Sequence, residues 1–198
     1  MHQTTAKGGD TRLRMIQVAA DLFHRKGIHA TSPDEIIEAS RTGKGQFYHY
    51  FRSRDELVEA AVGLRCTQVL AQLGEALGSV ESMAELASAL AGFVRQFEQM
   101  GLPGCPIGTL ATEVVESNEG ARLHAAAAFD AWEKLFADAL MRIRERGELR
   151  SDASPERLAT ALLASLEGGM MLSMTRKDPA SMRIAMDAGL DQVQGFRT

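Results

Sequence analysis

The chain reads KGQFYHYFRSR at residues 44–54, where aromatic residues and cations follow one another closely. Another pattern precedes it at residues 32–39, SPDEIIEA: a serine suited to cap a helix, a proline at the first helical position and a glutamate three residues after the cap. The two patterns predict a short helix over about 33–39 and a second over about 44–50. Two short helices joined by a tight turn are the geometry of a helix-turn-helix, whose second helix enters the major groove of DNA.

The second helix carries side chains suited to reading bases. Lysine and glutamine match the edges of guanine and adenine, which favours Lys44 and Gln46 as base contacts. Gly45 removes a side chain from the first turn, so that backbone amides can approach a phosphate. The alternative is an aromatic-rich corner of a helical core. That reading suits Phe47 but neither Lys44 nor Gln46, because lysine and glutamine are rarely buried.

Three further side chains near this helix suit the phosphate backbone: Tyr48, His49 and Arg54, the last at the start of the next helix. For His49, ordinary solvent-exposed surface is an equally good reading. His24 and His29 lie five residues apart across Gly27, a spacing that does not put a metal pair on one face, so no metal site is predicted.

The composition favours an all-α fold. Only five of the 198 residues are proline, 45% are hydrophobic, and the prevalent types lose little rotamer freedom in a helix. Capping signals and hydrophobic periodicity predict about nine helices. We expect a flexible N-terminus over residues 1–10, a three-helix helix-turn-helix head over 11–56 and a ligand-binding and dimerisation domain over 57–198.

The charge is unevenly distributed along the chain. Residues 1–65 hold ten Lys and Arg against eight Asp and Glu, whereas the remainder holds 12 against 18, for a net charge of −4. The basic share therefore coincides with the predicted head, which favours sequence-specific DNA binding over general polyanion binding. Two widely spaced cysteines argue against a disulfide framework or a zinc site and favour a reducing, cytoplasmic compartment. The longest nearly apolar run, 159–174, is shorter than a membrane span requires.

Residues 44–54 resemble the recognition-helix signature of TetR-family transcriptional regulators, which commonly reads K-G-x-[LF]-Y-x-Y-F-x-[SN]-K. Ala-Ala-Asp-Leu-Phe at 19–23, Gly27 and Thr31 fall at the family's spacing too, so the resemblance covers roughly residues 11–60. It implies a homodimer that binds operator DNA and senses a small ligand. It also implies roles for individual residues: Lys44 and Gln46 on bases, and Thr31, Tyr48, His49 and Arg54 on the DNA backbone.

Two positions depart from the family's pattern. Arg41 and Gly43 stand where glycine and serine are usual. A non-glycine residue in this turn is expected to need a positive φ, which costs some strain. Gly43 also leaves the recognition helix without a serine N-cap.

The last two predicted helices carry more apolar side chains than one modest domain can cover. We expect them to pair with their symmetry mates as a four-helix bundle. The predicted dimer interface consists of Leu158, Leu162, Leu166, Met182, Met186, Leu190 and Val193.

Aromatic residues and methionines on several helices predict an apolar ligand cavity, because small-molecule sites are lined mostly by such side chains. The predicted lining is Phe93, Phe97, Met100, Phe129, Trp132, Phe136, Glu167 and Met170. The ligand would be hydrophobic or aromatic, and cationic if Glu167 or Glu113 faced inward. Glu167 could equally lie at a solvent edge or be buried and hydrogen-bonded, and the methionines could be core rather than cavity.

Cys105 lies between Gly104 and Pro106, at the predicted start of a helix. A helix N-terminus stabilises a thiolate, so an oxidant- or electrophile-sensing repressor is an alternative function. Against it, lone cysteines are usually small buried hydrophobes. The sequence contains neither a nucleophile elbow nor a phosphate loop, so we expect a regulator that needs no cofactor rather than an enzyme.

Overall fold

Nine α-helices make up the regular structure of residues 6–198, the part of the chain that this computed structural model describes. Within those residues there is no strand, which confirms the all-α prediction. The helices are α1 Ala6–Lys26, α2 Pro33–Ala39, α3 Lys44–Tyr50, α4 Arg54–Leu77, α5 Met83–Gln99, α6 Pro106–Val114, α7 Glu119–Glu145, α8 Pro155–Arg176 and α9 Ala180–Gln194.

The first helix begins at Ala6, earlier than the predicted Thr11. Part of the segment predicted to be flexible is therefore helical, and residues 1–5 lie outside the described residues. α1 ends where Gly27 turns to a φ of 88° and its N–H still bonds to the Phe23 carbonyl at 2.9 Å. This left-handed conformation suits glycine and ends the helix.

The second helix begins as its capping signal predicts. The Ser32 hydroxyl accepts a hydrogen bond from the Glu35 N–H at 3.2 Å, and Pro33 occupies the first helical position. Ile36 and Ile37 are buried and hold the helix to the head. The turn that follows contains Arg41 at a φ of 53°, so the strain expected for a non-glycine residue there is present.

The described chain divides into two compact units that differ from the predicted domains. One contains the residues up to Gln68 together with 106–128, and the other contains 69–105 together with 129–198. In the first unit α6 contacts α1, so a helix from the middle of the sequence belongs to the same unit as the DNA-binding head.

In the second unit α8 and α9 pack closely. A Cβ on Gly169 would lie 3.0 Å from the Cβ of Ala185 and 3.1 Å from the Cα of Met182, so only glycine allows this approach. The buried Ser173 hydroxyl accepts from the Met182 N–H at 2.8 Å. The two contacts fix one helix against the other.

α8 is long and apolar enough, by length and composition, to cross a bilayer, and 44% of its most apolar window is buried inside the protein. It is longer than the apolar run recognised in the sequence, so length alone does not exclude a span. Leu158, Leu162 and Leu166 are among its buried side chains. We therefore interpret α8 as a core helix of the second unit.

Candidate DNA-binding site and ligand domain

The recognition helix α3 has one buried side and one exposed side. Phe47 and Phe51, at its inner side and C-cap, are almost completely buried. The predicted DNA contacts of this helix, Lys44, Gly45, Gln46, Tyr48 and His49, are all exposed. Two aromatic anchors therefore hold the helix to the head and leave the polar side available to a DNA groove.

The two predicted base-reading side chains have weak partners of their own. The ammonium of Lys44 lies 3.0 Å from a carboxylate oxygen of Asp34, and both side chains are about 70% exposed. Such exposed ion pairs contribute little, typically under about 1 kcal/mol. The Gln46 side-chain oxygen accepts from the Gly43 N–H at 3.1 Å, which supplies part of the N-terminal capping that Gly43 cannot provide itself. The Lys44 contact can be exchanged for a contact to a base at little cost.

Thr31 and Arg54 have a different environment from the one that the family resemblance implies. Thr31 is 2% exposed, and its hydroxyl donates to the Gly27 carbonyl at 2.8 Å. The guanidinium of Arg54 donates to the carbonyls of Ile28 and Thr31. Both side chains thus hold the loop between α1 and α2. Their placement favours a structural task over a direct phosphate contact.

The predicted ligand-binding residues are dispersed between core and surface. Phe97, Trp132, Phe136 and Met170 are buried, Phe93, Phe129 and Glu167 are half-buried, and Met100 is 57% exposed. A cavity of about 460 Å³ opens beside α5, and Phe93 is the member of the predicted set that lines it. Its other lining residues are mostly small, among them Ala89 and Gly92.

Two buried polar atoms of the second unit lack a hydrogen-bond partner among the described residues: the Trp132 ring nitrogen and one Glu167 carboxylate oxygen. Burial raises the pKa of Glu167, and a hydrogen bond from the Cys105 thiol opposes that rise. Unsatisfied buried polar groups cost free energy and are uncommon in proteins. These two atoms are therefore candidates for a polar contact with a small molecule.

Cys105 is 4% exposed and its thiol donates to Glu167. Reactive cysteines lie in electropositive and partly exposed surroundings. A buried thiol beside a carboxyl group has neither property. The structure thus favours the packing role over the sensor role. The other cysteine, Cys66, is also buried, and burial raises the pKa of its thiol.

Comparisons with known proteins match both halves of the chain. The family described as "Bacterial regulatory proteins, tetR family" matches residues 15–61. The one described as "Transcriptional regulator LmrA/YxaF-like, C-terminal domain" matches residues 79–188, more than half of the chain. The HTH-type transcriptional regulator YxaF of Bacillus subtilis is 32% identical over 179 residues, which cover 86% of this chain and 88% of YxaF. The chain belongs to the TetR family of transcriptional regulators.

Solved structures of TetR-family regulators share the fold. The regulator from Cytophaga hutchinsonii matches with a TM-score of 0.86 and 21% identity, covering 98% of both chains. The reduced form of Escherichia coli NemR matches with a TM-score of 0.82 and 24% identity, covering 96% of this chain and 97% of NemR. In sequence, the repressor NemR is 31% identical over 121 residues, 57% of this chain and 58% of NemR. The tetR-family match over residues 15–61 confirms the resemblance drawn from residues 44–54.

The side chains predicted to form the dimer contact are buried within one protomer. Leu190 is half-buried. The other six are at most 4% exposed: Leu158, Leu162, Leu166, Met182, Met186 and Val193. Their spacing is that of an apolar helix face, as predicted, but that face packs within the protomer. The large apolar side chains that are exposed on the same helices are Met171, Leu172 and Ile184.

One polar residue of α6, outside the helix-turn-helix head, has a role that the sequence did not predict. Glu113, considered above only as a possible charge in the ligand cavity, accepts hydrogen bonds from backbone amides of the α1–α2 loop. The partners lie 84 and 85 residues away along the chain. Nothing in the local sequence around Glu113 indicates this contact, because it depends on where α6 packs.

Proposed function

We propose that this protein is a dimeric, cytoplasmic repressor that binds operator DNA through α3 and is released by a small hydrophobic ligand. The main observation in support of DNA binding is that α3 has a buried aromatic side and an exposed polar side. The exposed side carries Lys44, Gln46, Tyr48 and His49. Membership of the TetR family, and the naming of the related NemR as a repressor, support the direction of the effect. The proposed function is binding, not catalysis.

The proposed dimer uses the outer faces of α8 and α9. Ala164, Gly168 and Met171 are exposed and follow one another at helical spacing along α8, and Ile184 and Ala188 do so along α9. Ile184 is 68% and Met171 58% exposed. Two copies of this face could form an isologous four-helix contact, in which the small residues permit close approach. A dimer would present two recognition helices to two half-sites about one helical turn, or a multiple, apart.

The proposed ligand binds in the second unit, near Trp132 and Glu167. The unpartnered ring nitrogen and carboxylate oxygen support a site with few, well-placed polar groups among apolar side chains, which is the usual character of small-molecule sites. Release requires that the ligand bind more tightly to the conformation with low operator affinity. The ligand is expected to be hydrophobic or aromatic.

Selection from a random pool of DNA duplexes tests the operator proposal. We expect enrichment of a roughly palindromic sequence, and a linear fall of the logarithm of the binding constant with the logarithm of salt concentration. A Tyr48→Ala and His49→Ala double variant should weaken binding to enriched and scrambled duplexes alike, because phosphate contacts carry no sequence information. Failure of the wild-type protein to enrich any sequence would refute the proposal.

Trp132 fluorescence tests the ligand proposal, since Trp132 is the only tryptophan. A panel of small aromatic molecules that includes 2-naphthol should contain members that quench Trp132 emission. Those members should release the enriched duplex over the same concentration range. Quenching without any effect on DNA binding would separate ligand binding from regulation and contradict the proposal.

A further inference from the structure

The loop between α1 and α2 is held by Glu113, a side chain from another part of the sequence. Its Oε2 accepts from the Ile28 N–H at 2.8 Å and from the His29 N–H at 3.1 Å. One carboxylate oxygen thus accepts hydrogen bonds from two successive backbone N–H groups just after the end of α1. Hydrogen bonds to a charged acceptor are roughly twice as strong as those between neutral groups.

The loop sequence leaves room for this carboxylate. Gly27 has a φ of 88°, and a Cβ at this position would lie 3.1 and 3.2 Å from the two carboxylate oxygens of Glu113. Glycine is therefore suited to this position for two independent reasons, its backbone conformation and the close approach of Glu113.

The backbone carbonyls of the same loop are bound by a side chain of α4. The Arg54 guanidinium donates to the carbonyls of Ile28 and Thr31, and the Thr31 hydroxyl donates to the Gly27 carbonyl. A carboxylate thus binds the amides of the loop and a guanidinium binds its carbonyls. Ser32, the N-cap of α2, follows at once, so the loop determines where α2 begins. α3 contacts α2 and follows it after a short turn.

The segment that carries Glu113 is itself anchored in the same compact unit. Ile107, Leu110 and Val114 of α6 are buried, and α6 contacts α1. Four residues after α6, the Asn118 side chain donates to the Asp55 carbonyl in the first turn of α4 at 3.0 Å. Residues 113–118 therefore hold the head at two points.

We propose that Glu113 is a positioning residue of the DNA-binding head, which fixes the α1–α2 loop and thereby the placement of the recognition helix on the operator. The proposal rests on the operator binding proposed above. Glu113 contacts no DNA in this scheme. It acts by fixing the Ile28 and His29 amides, and α2 with them.

The decisive measurement compares the affinities of full-length variants for the duplex enriched by the wild-type protein. If only the charge of Glu113 mattered, its removal would strengthen DNA binding, because a carboxylate is repelled by the DNA phosphates. The positioning role predicts the opposite sign: Glu113→Ala should bind about tenfold more weakly, within the usual range of coupling between sites. Glu116→Ala is the matched control. Glu116 lies three residues further on and is exposed, and its loss should leave affinity unchanged or slightly increased.

Two conservative variants separate reach from charge and remain informative if Glu113→Ala fails to fold. Glu113→Gln keeps the length and an acceptor oxygen, whereas Glu113→Asp keeps the charge but is one methylene too short. We expect Glu113→Gln to retain more operator affinity than Glu113→Asp. Because loss of the charge alone would also favour Glu113→Gln, the deciding comparison is Glu113→Asp with the wild type, in which the charge is unchanged and only the reach is lost. Glu113→Asp should bind the operator more weakly than the wild type, and equal affinity would overturn the proposal.

Hydrogen exchange of the Ile28 and His29 amides tests the contact without DNA. Glu113→Ala should accelerate their exchange by about tenfold or more, while amides of α8 keep their wild-type rates. Unchanged exchange, or unchanged operator affinity in a folded Glu113→Ala protein, would overturn the proposal. A wild-type protein that selects no duplex would instead refute the proposed operator binding, and the exchange rates would still decide whether Glu113 holds the loop.

Discussion

Gln46 combines two tasks in one side chain. Its oxygen accepts from the Gly43 N–H at 3.1 Å, and its exposed position on α3 is suited to reading an adenine edge. A Gln46→Glu variant could still cap the helix, but its carboxylate would prefer the amino group of cytosine. The two tasks can therefore be separated by substitution.

Gln46→Ala should lose about 1–3 kcal/mol of discrimination at one operator position if the contact is bidentate. It should also bind all sequences slightly less well, because the Gly43 N–H loses its acceptor. Gln46→Glu keeps that acceptor and should change the preferred base. Competition binding with single-base operator variants measures both effects, and equal losses on matched and scrambled duplexes would remove Gln46 from the base contacts.

Glu167 gives a pH-dependent prediction. Burial raises the pKa of its carboxyl group, so the folded protein favours the protonated form relative to the unfolded chain. The resulting penalty is absent below the unfolded pKa and is fully present above the folded pKa. Glu167→Gln removes an ionisable group at nearly constant volume, and its unfolding free energy should exceed that of the wild type at pH 7–8.

The advantage of Glu167→Gln should shrink as the pH falls toward about 4, near the pKa of glutamate in an unfolded chain. Urea unfolding across a pH series measures it. The control is Glu145→Gln, at an exposed position of α7. A difference between Glu167→Gln and wild type that stays constant with pH would show that Glu167 ionises as freely as in the unfolded chain.

Two adjacent glycines of α8 differ in how much space surrounds them. A Cβ on Gly169 would press on Met182 and Ala185 of α9, whereas a Cβ on Gly168 would meet nothing within 4 Å. The pair offers a matched comparison, because both positions lie in the interior of one helix and differ in what they face.

In the background of Met171→Arg and Ile184→Arg, which removes the proposed dimer contact, Gly168→Ala should stabilise the protein by about 0.5–1 kcal/mol, since alanine restricts the unfolded chain and favours the helix. Gly169→Ala has the same intrinsic gain but forces α8 away from α9, and overpacking of this kind costs about 1–3 kcal/mol. Urea unfolding at one fixed protein concentration checks the signs. Stabilisation by both substitutions would mean that α9 can shift to accommodate the extra methyl group.

For the molecule as a whole, our proposal assigns assembly to the outer face of α8 and α9. Met171→Arg together with Ile184→Arg should place charges on the proposed dimer contact and yield a monomer in sedimentation at micromolar concentration. Operator affinity should then fall on the order of 100-fold, because two linked heads gain from effective concentration. The control is Leu123→Arg, at an apolar position on α7 that is 53% exposed. A double variant that remains dimeric would exclude this face as the interface.

Much of the fold could be predicted from the sequence because its signals are local. Ser32 and Pro33 specify the start of α2, Gly27 ends α1, and the aromatic anchors Phe47 and Phe51 are buried as their type suggests. A cap or a periodic stripe involves residues within about one or two helical turns, so the chain encodes it without reference to distant partners. The exposed polar side of α3 follows from the same local pattern.

The tertiary structure alone decided which neighbour each face meets. A periodic stripe shows that a helix buries one side, but not against what, and so Leu162 and Met182 pack within the protomer although their pattern suits a dimer contact equally well. Arg54 resembles a phosphate ligand by type and position, yet it binds the Ile28 and Thr31 carbonyls. Glu113 reaches amides some 85 residues away. Local signals in the chain determine where its helices begin and which faces they bury, whereas pairing between distant segments depends on three-dimensional packing that no local signal encodes.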